Sequence, residues 1–374
     1  MKKSLVVLLV FFVGVQTGYA QTKWKDGIVT DEFIYTKASF PSAHSATIVE
    51  TPKGLLTAWF GGTREGHPDV EIYMSRLEGN DKWTAPVSIA NGIINDTLRY
   101  PCYNPVLYQV PGGELILFYK VGPKVAAWVG WMKRSYDNGH TWGKPELLPD
   151  GGLGPVKNRP VMIGDELFCP SSTEVGGWKL HFEITKDNGK TWRKIGPLND
   201  GKTVQSIQPS ILVHGKNKLQ VLCRTRQHHI GEAWSYDGGQ TWSDVTLLKA
   251  LPNNNSGTDA LTLKDGRHLL VYNHVLPDTT WVKGKGPRTP LNVALSKDGK
   301  TWYASLVLED SPISQYSYPS VIQSSDGMVH IVYTWRRETI KYVKIDPSKL
   351  KMKKIKKQQW PGGQKKLSEF VMEE

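Results

Sequence analysis

Short apolar runs that each follow a glycine recur along the chain. They are as long as ordinary strands, rich in Val, Leu, Ile and aromatic residues, and too short for typical helices. A glycine before each run supplies the backbone freedom that a tight turn needs. The pattern therefore predicts six equivalent β-strands, which begin at or soon after Gly54, Gly113, Gly164, Gly215, Gly266 and Gly327.

A second repeat has the form Ser/Thr-x-Asp-x-Gly-x-Thr-Trp. Its copies occupy residues 135–142, 185–192 and 235–242, with a shortened copy at 296–302 and a degenerate one at 75–83. Asp followed by Asn-Gly or Gly-Gly favours a turn between two strands, and the Trp supplies a large apolar surface for packing between neighbouring units. We interpret this box as a structural hairpin.

Both repeats share one period, and the period predicts the architecture. The glycines recur every 51 to 61 residues and the box tryptophans every 50 to 60. About fifty residues accommodate four short strands, and six such units close into a ring that leaves no long strand edge exposed. The sequence predicts an all-β, six-bladed β-propeller from about residue 25 to 346.

The two ends of the chain differ from this repeat. Residues 1–20 combine Lys2 and Lys3, an apolar run and a small-x-small site ending at Ala20, which is typical of a secretory signal peptide and predicts a secreted or periplasmic protein. Residues 347–374 are rich in lysine, and we expect a flexible basic tail. The net charge of +12 resides mostly in these two ends, so we expect no nucleic-acid partner.

Composition excludes other classes. With 39% hydrophobic and 22% charged residues the chain is neither disordered nor a multi-span membrane protein, and no run after the leader is long enough for a transmembrane segment. The three cysteines have no CxxC spacing, and the sequence contains no nucleotide fingerprint or cluster of metal ligands. We expect no metal and no cofactor.

The residues just past the six glycine-led strands point to a ligand. In a propeller, equivalent strand ends converge on one mouth. Because several of these residues are cationic and Arg binds a carboxylate through a planar fork, we expect a carboxylate-bearing ligand. The residues are Arg64, Lys120, Glu174, Arg224 with Arg226, His274, and Arg336 with Arg337.

The repeated boxes on a six-blade period resemble the Asp boxes of the sialidase (neuraminidase) superfamily over essentially the whole chain after the leader. The resemblance implies a glycoside hydrolase with a triad of arginines for the substrate carboxylate, an Asp acid/base and a Tyr nucleophile beside a Glu. On this chain it implies Asp69 as acid/base, Arg224 and Arg288 as two triad members, and Tyr316 as nucleophile, with Tyr318 as the alternative.

Two positions depart from the family pattern. His44 stands where the first arginine of the triad is expected, and Gln208 stands where the glutamate beside the tyrosine is expected. Gln cannot accept the phenolic proton, whereas His can exchange protons near neutral pH. We expect Gln208 to bind substrate together with Arg64, Arg226 and Arg336.

Three functions remain open at this point. The first is an exo-acting, sialidase-like glycoside hydrolase that acts on an acidic sugar of a glycan. The second is a hydrolase or lyase of uronate-containing polysaccharide that uses His44 and Tyr316. The third is a propeller that binds glycans without catalysis.

Overall fold

Six antiparallel sheets follow one another along the chain, each forming one blade of a β-propeller. The structure, a computed structural model, describes residues 24–79, 81–277, 288–311 and 315–362. The predicted signal peptide lies outside the described residues.

Strand β1 is Ile28–Phe33, and blade 1 contains β2 (Ser42–Thr51), β3 (Gly54–Gly62), β4 (Glu71–Arg76) and β5 (Val87–Ala90). A small ribbon of β6 (Ile93–Asn95) and β7 (Leu98–Arg99) leads to blade 2, which contains β8 (Cys102–Gln109), β9 (Leu115–Val121), β10 (Val129–Ser135) and β11 (Glu146–Leu147).

The remaining four blades repeat this order. Blade 3 contains β12 (Val161–Ile163), β13 (Glu166–Thr173), β14 (Lys179–Thr185) and β15 (Arg193–Ile195), and blade 4 contains β16 (Ser206–Val213), β17 (Leu219–Thr225), β18 (His229–Ser235) and β19 (Thr246–Pro252). Blade 5 contains β20 (Asp259–Thr262), β21 (His268–Tyr272), β22 (Leu291–Ser296) and β23 (Trp302–Glu309). Blade 6 contains β24 (Tyr316–Gln323), β25 (Val329–Trp335) and β26 (Thr339–Ile345), and β27 is Lys353–Lys354.

The glycine-led runs occupy the same place in every blade. They form β3, β9, β13, β17, β21 and β25, each of which pairs with the first strand of its blade on one side and with the third on the other. These strands are almost entirely buried, because neighbouring blades cover both of their faces. The prediction of an all-β, six-bladed propeller is confirmed.

The boxes form the turns between third and fourth strands of blades 2 to 5, as predicted. In blade 3, Asp187 accepts hydrogen bonds from the backbone N–H of Thr191 at 2.8 Å and from its hydroxyl at 2.6 Å. The box residue Trp192 packs edge-on against Phe118 of blade 2, with ring centroids 6.2 Å apart. Each box therefore fixes a turn and also joins its blade to the preceding one.

The first strand of the chain completes the last blade. β1 pairs antiparallel with β26, so that residue Phe33 lies opposite Lys341, and the sheet order becomes β1-β26-β25-β24. This pairing closes the ring and brings blade 6 beside blade 1.

The segment after residue 346 is folded as far as the structure describes it, so the prediction of a flexible tail from residue 347 is wrong for 347–362. β27 pairs with β23 at the outer edge of blade 5. Trp360 is only 3% exposed and packs edge-on against Trp24. The apolar Trp360 anchors this part of the basic segment, whereas residues 363–374 lie outside the described residues.

Helical structure in the described ranges is limited to three single 3-10 turns. They are Val125–Ala127, Pro149–Gly151 and Pro347–Lys349. Within those ranges no helix has the length and apolarity needed to cross a membrane. Cys102, Cys169 and Cys223 are buried and unpaired.

We expect Trp360→Ala to lower the free energy of unfolding by about 3 kcal/mol or more, because truncating a buried Trp removes apolar contacts and leaves a cavity. Urea denaturation of the full chain measures this. Tyr136→Ala is the control, since Tyr136 is 80% exposed and its truncation should change stability by less than about 0.5 kcal/mol. Equal stability of the two variants would show that residues 347–362 do not pack as described.

Candidate functional site

The first strands of four blades carry the same β-bulge near their beginnings. The register of β2, β8, β16 and β24 against the second strand shifts at one point in each case. The residue at each shift has a positive φ, between 37° and 58°, which is uncommon for a residue other than glycine. A bulge redirects side chains locally, and strained backbone of this kind concentrates at functional sites. The four residues are Ser45, Asn104, Gln208 and Tyr318.

Two of these bulge residues meet at one phenol oxygen. The Tyr318 hydroxyl accepts hydrogen bonds from Gln208 Nε2 at 3.2 Å and from Arg224 Nη1 at 2.9 Å. Gln208 and Arg224 are both nearly buried, and Tyr318 is partly exposed. The structure therefore places Gln208 beside Tyr318, which is the relation that the resemblance implies for the nucleophile and its neighbour.

The loop before blade 5 supports this group. Asn255 accepts a hydrogen bond from Arg224 Nε at 2.8 Å, which fixes the guanidinium plane. Gly257 lies against the Tyr318 ring, because a Cβ at this position would approach ring atoms to 3.1 Å. A side chain at residue 257 would therefore displace the ring.

Three cations surround the Tyr318 ring. The ring centroid lies 5.9 Å from Arg224 Cζ, 5.5 Å from Arg288 Cζ and 5.6 Å from Lys157 Nζ. Burial, and then the charge of Arg224, hold the pKa of Arg288 below its ordinary value. Arg288 Nη1 is buried and has no hydrogen-bond partner among the described residues. A buried guanidinium nitrogen without an acceptor, next to a second guanidinium, is complementary to a carboxylate.

Lys157 holds the backbone beside Tyr318. Its ammonium group donates to the carbonyls of Pro319 at 2.7 Å and Thr258 at 3.0 Å, and to Asn158 Oδ1 at 2.7 Å. Burial lowers the pKa of Lys157 to about 8, although the nearby Asp259 carboxylate opposes this shift. Lys157 therefore fixes the bulge that carries Tyr318.

His44 is buried and packs against the Tyr318 ring. It is 2% exposed, its ring centroid lies 4.2 Å from that of Tyr318, and its Nδ1 is 2.9 Å from the Thr334 hydroxyl. Burial, followed by the charges of Arg337 and Arg288, holds the pKa of His44 well below its ordinary value. A neutral imidazole supports the tyrosine and cannot replace the charge of an arginine.

Asp69 lies in the loop between β3 and β4. Its carboxylate accepts a hydrogen bond from the Thr63 hydroxyl at 2.6 Å and lies 2.7 Å from His67 Nδ1. Burial alone would raise the pKa of Asp69, but these contacts outweigh burial and the pKa lies below its ordinary value. Asp69 is ionised near neutral pH, so it can donate a proton only after its environment changes.

Tyr316, which the sequence predicted as the nucleophile, does not join this group. Tyr316 packs in the core between blades 5 and 6, where its hydroxyl bonds to Ser311 and burial raises its pKa. It does not face the other site residues, because the bulge that redirects the chain comes two residues later.

Three predicted arginines also lie outside this group. Arg226 is exposed and stacks 4.4 Å above the Trp178 ring, and Arg336 pairs with Glu338 at 3.1 Å. Arg64 is exposed, and in the part of the chain that the structure describes its guanidinium makes no hydrogen bond or ion pair.

Two residues of the site were not predicted from the sequence: Lys157, and Trp178, whose ring centroid lies 4.9 Å from Arg224 Cζ. A signal for the first was present, since Gln208-Pro209 and Tyr318-Pro319 share their X-Pro form with Arg159-Pro160, one blade period earlier. This X-Pro pair lies just before or near the beginning of the first strand in these blades. Trp178 carried no comparable signal, because it lies outside both repeats.

Among the described ranges, no group of three or more His, Cys, Asp or Glu side chains is arranged to hold a metal ion.

Comparison with known proteins identifies what the chain is similar to. Residues 53–331 match the family described as "BNR repeat-like domain". The chain is 25% identical over 241 residues to an anhydrosialidase of Macrobdella decora, and the match covers 56% of this chain and 30% of that protein. It thus spans less than a third of the length of this relative.

Solved structures share the fold at low identity. The Hadza microbial sialidase Hz136 aligns with a TM-score of 0.71 and 16% identity, covering 86% of this chain and 69% of that one. An intramolecular trans-sialidase from Ruminococcus gnavus, in complex with oseltamivir carboxylate, aligns with a TM-score of 0.64 and 14% identity, covering 87% and 99%.

We expect the neutrality of His44 to contribute to the pH dependence of stability. In the unfolded chain His44 takes up a proton near pH 6.5, whereas in the folded protein it does so only at much lower pH. The unfolded state therefore binds more protons below pH 6.5, and folding loses stability as the pH falls. For His44 this loss is about 1.4 kcal/mol between pH 7.5 and 5.5.

Urea denaturation of the wild type and of His44→Gln at these two pH values isolates the contribution. The loss of stability on acidification should be smaller in the variant by about that amount. The same loss in both proteins would mean that His44 is protonated in the fold.

Proposed function

The chain belongs to the family of BNR repeat-like domains, and we propose that it is a sialidase-like, exo-acting glycoside hydrolase that releases a carboxylate-bearing sugar from a glycan. The observation that carries the proposal is the buried Arg288 Nη1, which has no hydrogen-bond partner among the described residues and lies beside Arg224 and Tyr318. An acidic sugar supplies the missing acceptor.

Binding of the sugar carboxylate rests on Arg224 and Arg288. Both guanidinium groups are largely removed from solvent, where a charge-assisted hydrogen bond is stronger than in water. Asn255 accepts from Arg224 Nε and the Tyr318 hydroxyl accepts from its Nη1, so the guanidinium is held beside Tyr318, where the carboxylate would bind. A neutral sugar would leave the Arg288 nitrogen unsatisfied, so the site should discriminate against it.

Tyr318 and Asp69 have the chemistry for a double displacement. The Tyr318 oxygen would bond to the anomeric carbon as the bond to the leaving oxygen breaks, while Asp69 gives a proton to that oxygen. Water would then release the sugar from Tyr318. Because Asp69 is ionised in the unliganded loop, substrate must bury it and raise its pKa before it can act as the acid.

Gln208 limits the first step. It bonds to the Tyr318 hydroxyl but cannot take its proton, which must pass to water instead. We therefore expect slower turnover than a site with a carboxylate at residue 208 would achieve.

A second candidate is elimination beside a uronate carboxylate. The neutral His44 ring against Tyr318 favours it, since a neutral imidazole is a base. Its partner would be Tyr318, because Tyr316 lies in the core between two blades. The burial of His44 argues against direct contact with substrate.

An exported location belongs to the same proposal and rests on the leader sequence at residues 1–20. Glycans are abundant outside the cytoplasm, so location and substrate class agree.

A panel of acidic glycans separates the candidate functions. Sialosides and uronate-containing oligosaccharides are incubated with the protein, and both released reducing sugar and near-ultraviolet absorbance are recorded. Hydrolysis raises only the first, elimination produces an unsaturated product that absorbs, and a binding protein changes neither. Absence of both signals across the panel would contradict the proposed enzyme.

We expect Tyr318→Phe to lower turnover by about two to four orders of magnitude on any substrate the panel identifies, because the nucleophilic oxygen is lost. Tyr316→Phe is the matched control. It removes only the hydroxyl that bonds to Ser311, so it should leave turnover within about threefold and cost about 1 kcal/mol of stability. The reverse order of effects would assign the nucleophile to Tyr316.

A further inference from the structure

Two adjacent arginines at the end of β25 point in different directions. Arg336 pairs with Glu338, whereas Arg337 donates from Nε to Gln315 Oε1 at 2.7 Å and pairs through Nη1 with Glu65. Both arginines have a positive φ, which makes the chain turn sharply between them. Only the second of the two is carried toward blade 1.

Arg337 lies beside the residue that departs most from the expected triad. Its carbonyl accepts a hydrogen bond from the backbone N–H of Ala43 at 2.7 Å, next to His44. Among the charges that act on His44, that of Arg337 has the largest effect. The backbone at Arg337 therefore lies beside the strand of blade 1 in which a triad arginine would be expected, and its guanidinium bonds to Glu65 of the same blade.

Arg224, Arg288 and Arg337 form one electrostatic group. The charges of Arg224 and Arg337 both act on Arg288 and disfavour its charged form, while that of Glu65 opposes them. Arg224 belongs to β17 of blade 4, Arg288 to the segment between β21 and β22 of blade 5, and Arg337 follows β25 of blade 6. Gln315, which accepts the hydrogen bond from Arg337 Nε, forms a β-bridge with Arg288, so these segments lie side by side. Such a concentration of positive charge is stabilised when an anion binds.

We propose that Arg337 is the third carboxylate-binding arginine of this site, supplied by the end of blade 6 in place of an arginine at residue 44. The inference rests on the proposed function, since it assumes an acidic sugar. Within the described ranges nothing bonds to Arg337 Nη2, and this nitrogen is available to the ligand.

Glu65 acts as a positioning residue in this arrangement. The side chains of Arg337 and Glu65 are 31% and 39% exposed, so their ion pair is screened by solvent and contributes little stability. It orients the guanidinium without burying it. Because Glu65 belongs to the same loop as Asp69, it also links the carboxylate-binding group to the loop that carries the proton donor.

Calorimetric titration tests the inference with defined probes. N-acetylneuraminic acid and glucuronic acid are each compared with their methyl esters, which keep the sugar and remove the charge. The proteins are the wild type, Arg337→Gln, Arg337→Lys, Arg288→Gln and Arg336→Gln, the last being the matched control. Thermal melting confirms that each variant is folded.

We expect Arg337→Gln to weaken binding of the free acid about tenfold or more, and to leave the affinity for its ester unchanged. Arg337→Lys should recover part of the affinity because it restores charge without the planar fork. Arg336→Gln should bind like the wild type.

The outcomes separate this inference from the proposed function. Loss of acid binding in Arg288→Gln but not in Arg337→Gln would overturn the third arginine and leave the proposed function intact. Equal losses for acid and ester in folded Arg337→Gln would also overturn it, by showing a structural role. A wild type that does not distinguish either acid from its ester would overturn both.

Discussion

The pairing of β1 with β26 is the contact on which the site depends, because it joins the two ends of the repeat into a ring. Only in the closed ring does blade 6 lie beside blade 1. The hydrogen bond between His44 and Thr334 spans 290 residues of sequence, and the Ala43 N–H bonds to the Arg337 carbonyl across the same junction. Closure thus converts residues from opposite ends of the chain into neighbours of Tyr318.

Within the closed ring, a strained backbone positions two side chains of the candidate site. Gln208 and Tyr318 both adopt a positive φ, which costs on the order of 1 kcal/mol or more for a residue with a side chain. Lys157 offsets this cost at Tyr318 by bonding to the next carbonyl, that of Pro319. Its three acceptors satisfy a buried ammonium group, and the bonds to Asn158 and the Thr258 carbonyl tie the bulge to blade 3 and to the loop before blade 5. The hydrogen bonds that stabilise this part of the fold therefore also fix the geometry of the candidate site.

The fold was predictable from the sequence because every blade repeats the same local chemistry. A glycine-led run becomes the second strand and an Asp box becomes the turn between the third and fourth strands, whatever the rest of the chain does. The choice between Tyr316 and Tyr318 was not predictable in this way. Residues two apart on a regular strand share a face, and only the bulge after Ser317 separates a core tyrosine from a site tyrosine.

Interactions between segments far apart in the chain were also not predictable from the sequence. The lysine-rich composition of residues 347–362 indicates a solvated tail, but the burial of Trp360 against Trp24 outweighs it. Likewise, nothing near His44 in the sequence shows that the charges of Arg337 and Arg288 will surround it. A pKa depends on neighbours in space, and these come from other blades.

The two departures from the family pattern are coupled through charge. An arginine and a glutamate at residues 44 and 208 would add one positive and one negative charge to a buried group, whereas His44 is neutral and Gln208 has no charge. Replacing both the arginine and the glutamate by neutral residues leaves the net charge of the group unchanged. Replacing only one of the two would leave an unpaired buried charge, which is far more costly. The neutral pair also explains why His44 can pack directly against the Tyr318 ring, since an arginine there would need a counter-charge that an amide at residue 208 does not provide. The site therefore keeps its positive character through Arg224, Arg288 and Arg337, and its neutral residues hold Tyr318 in place among them.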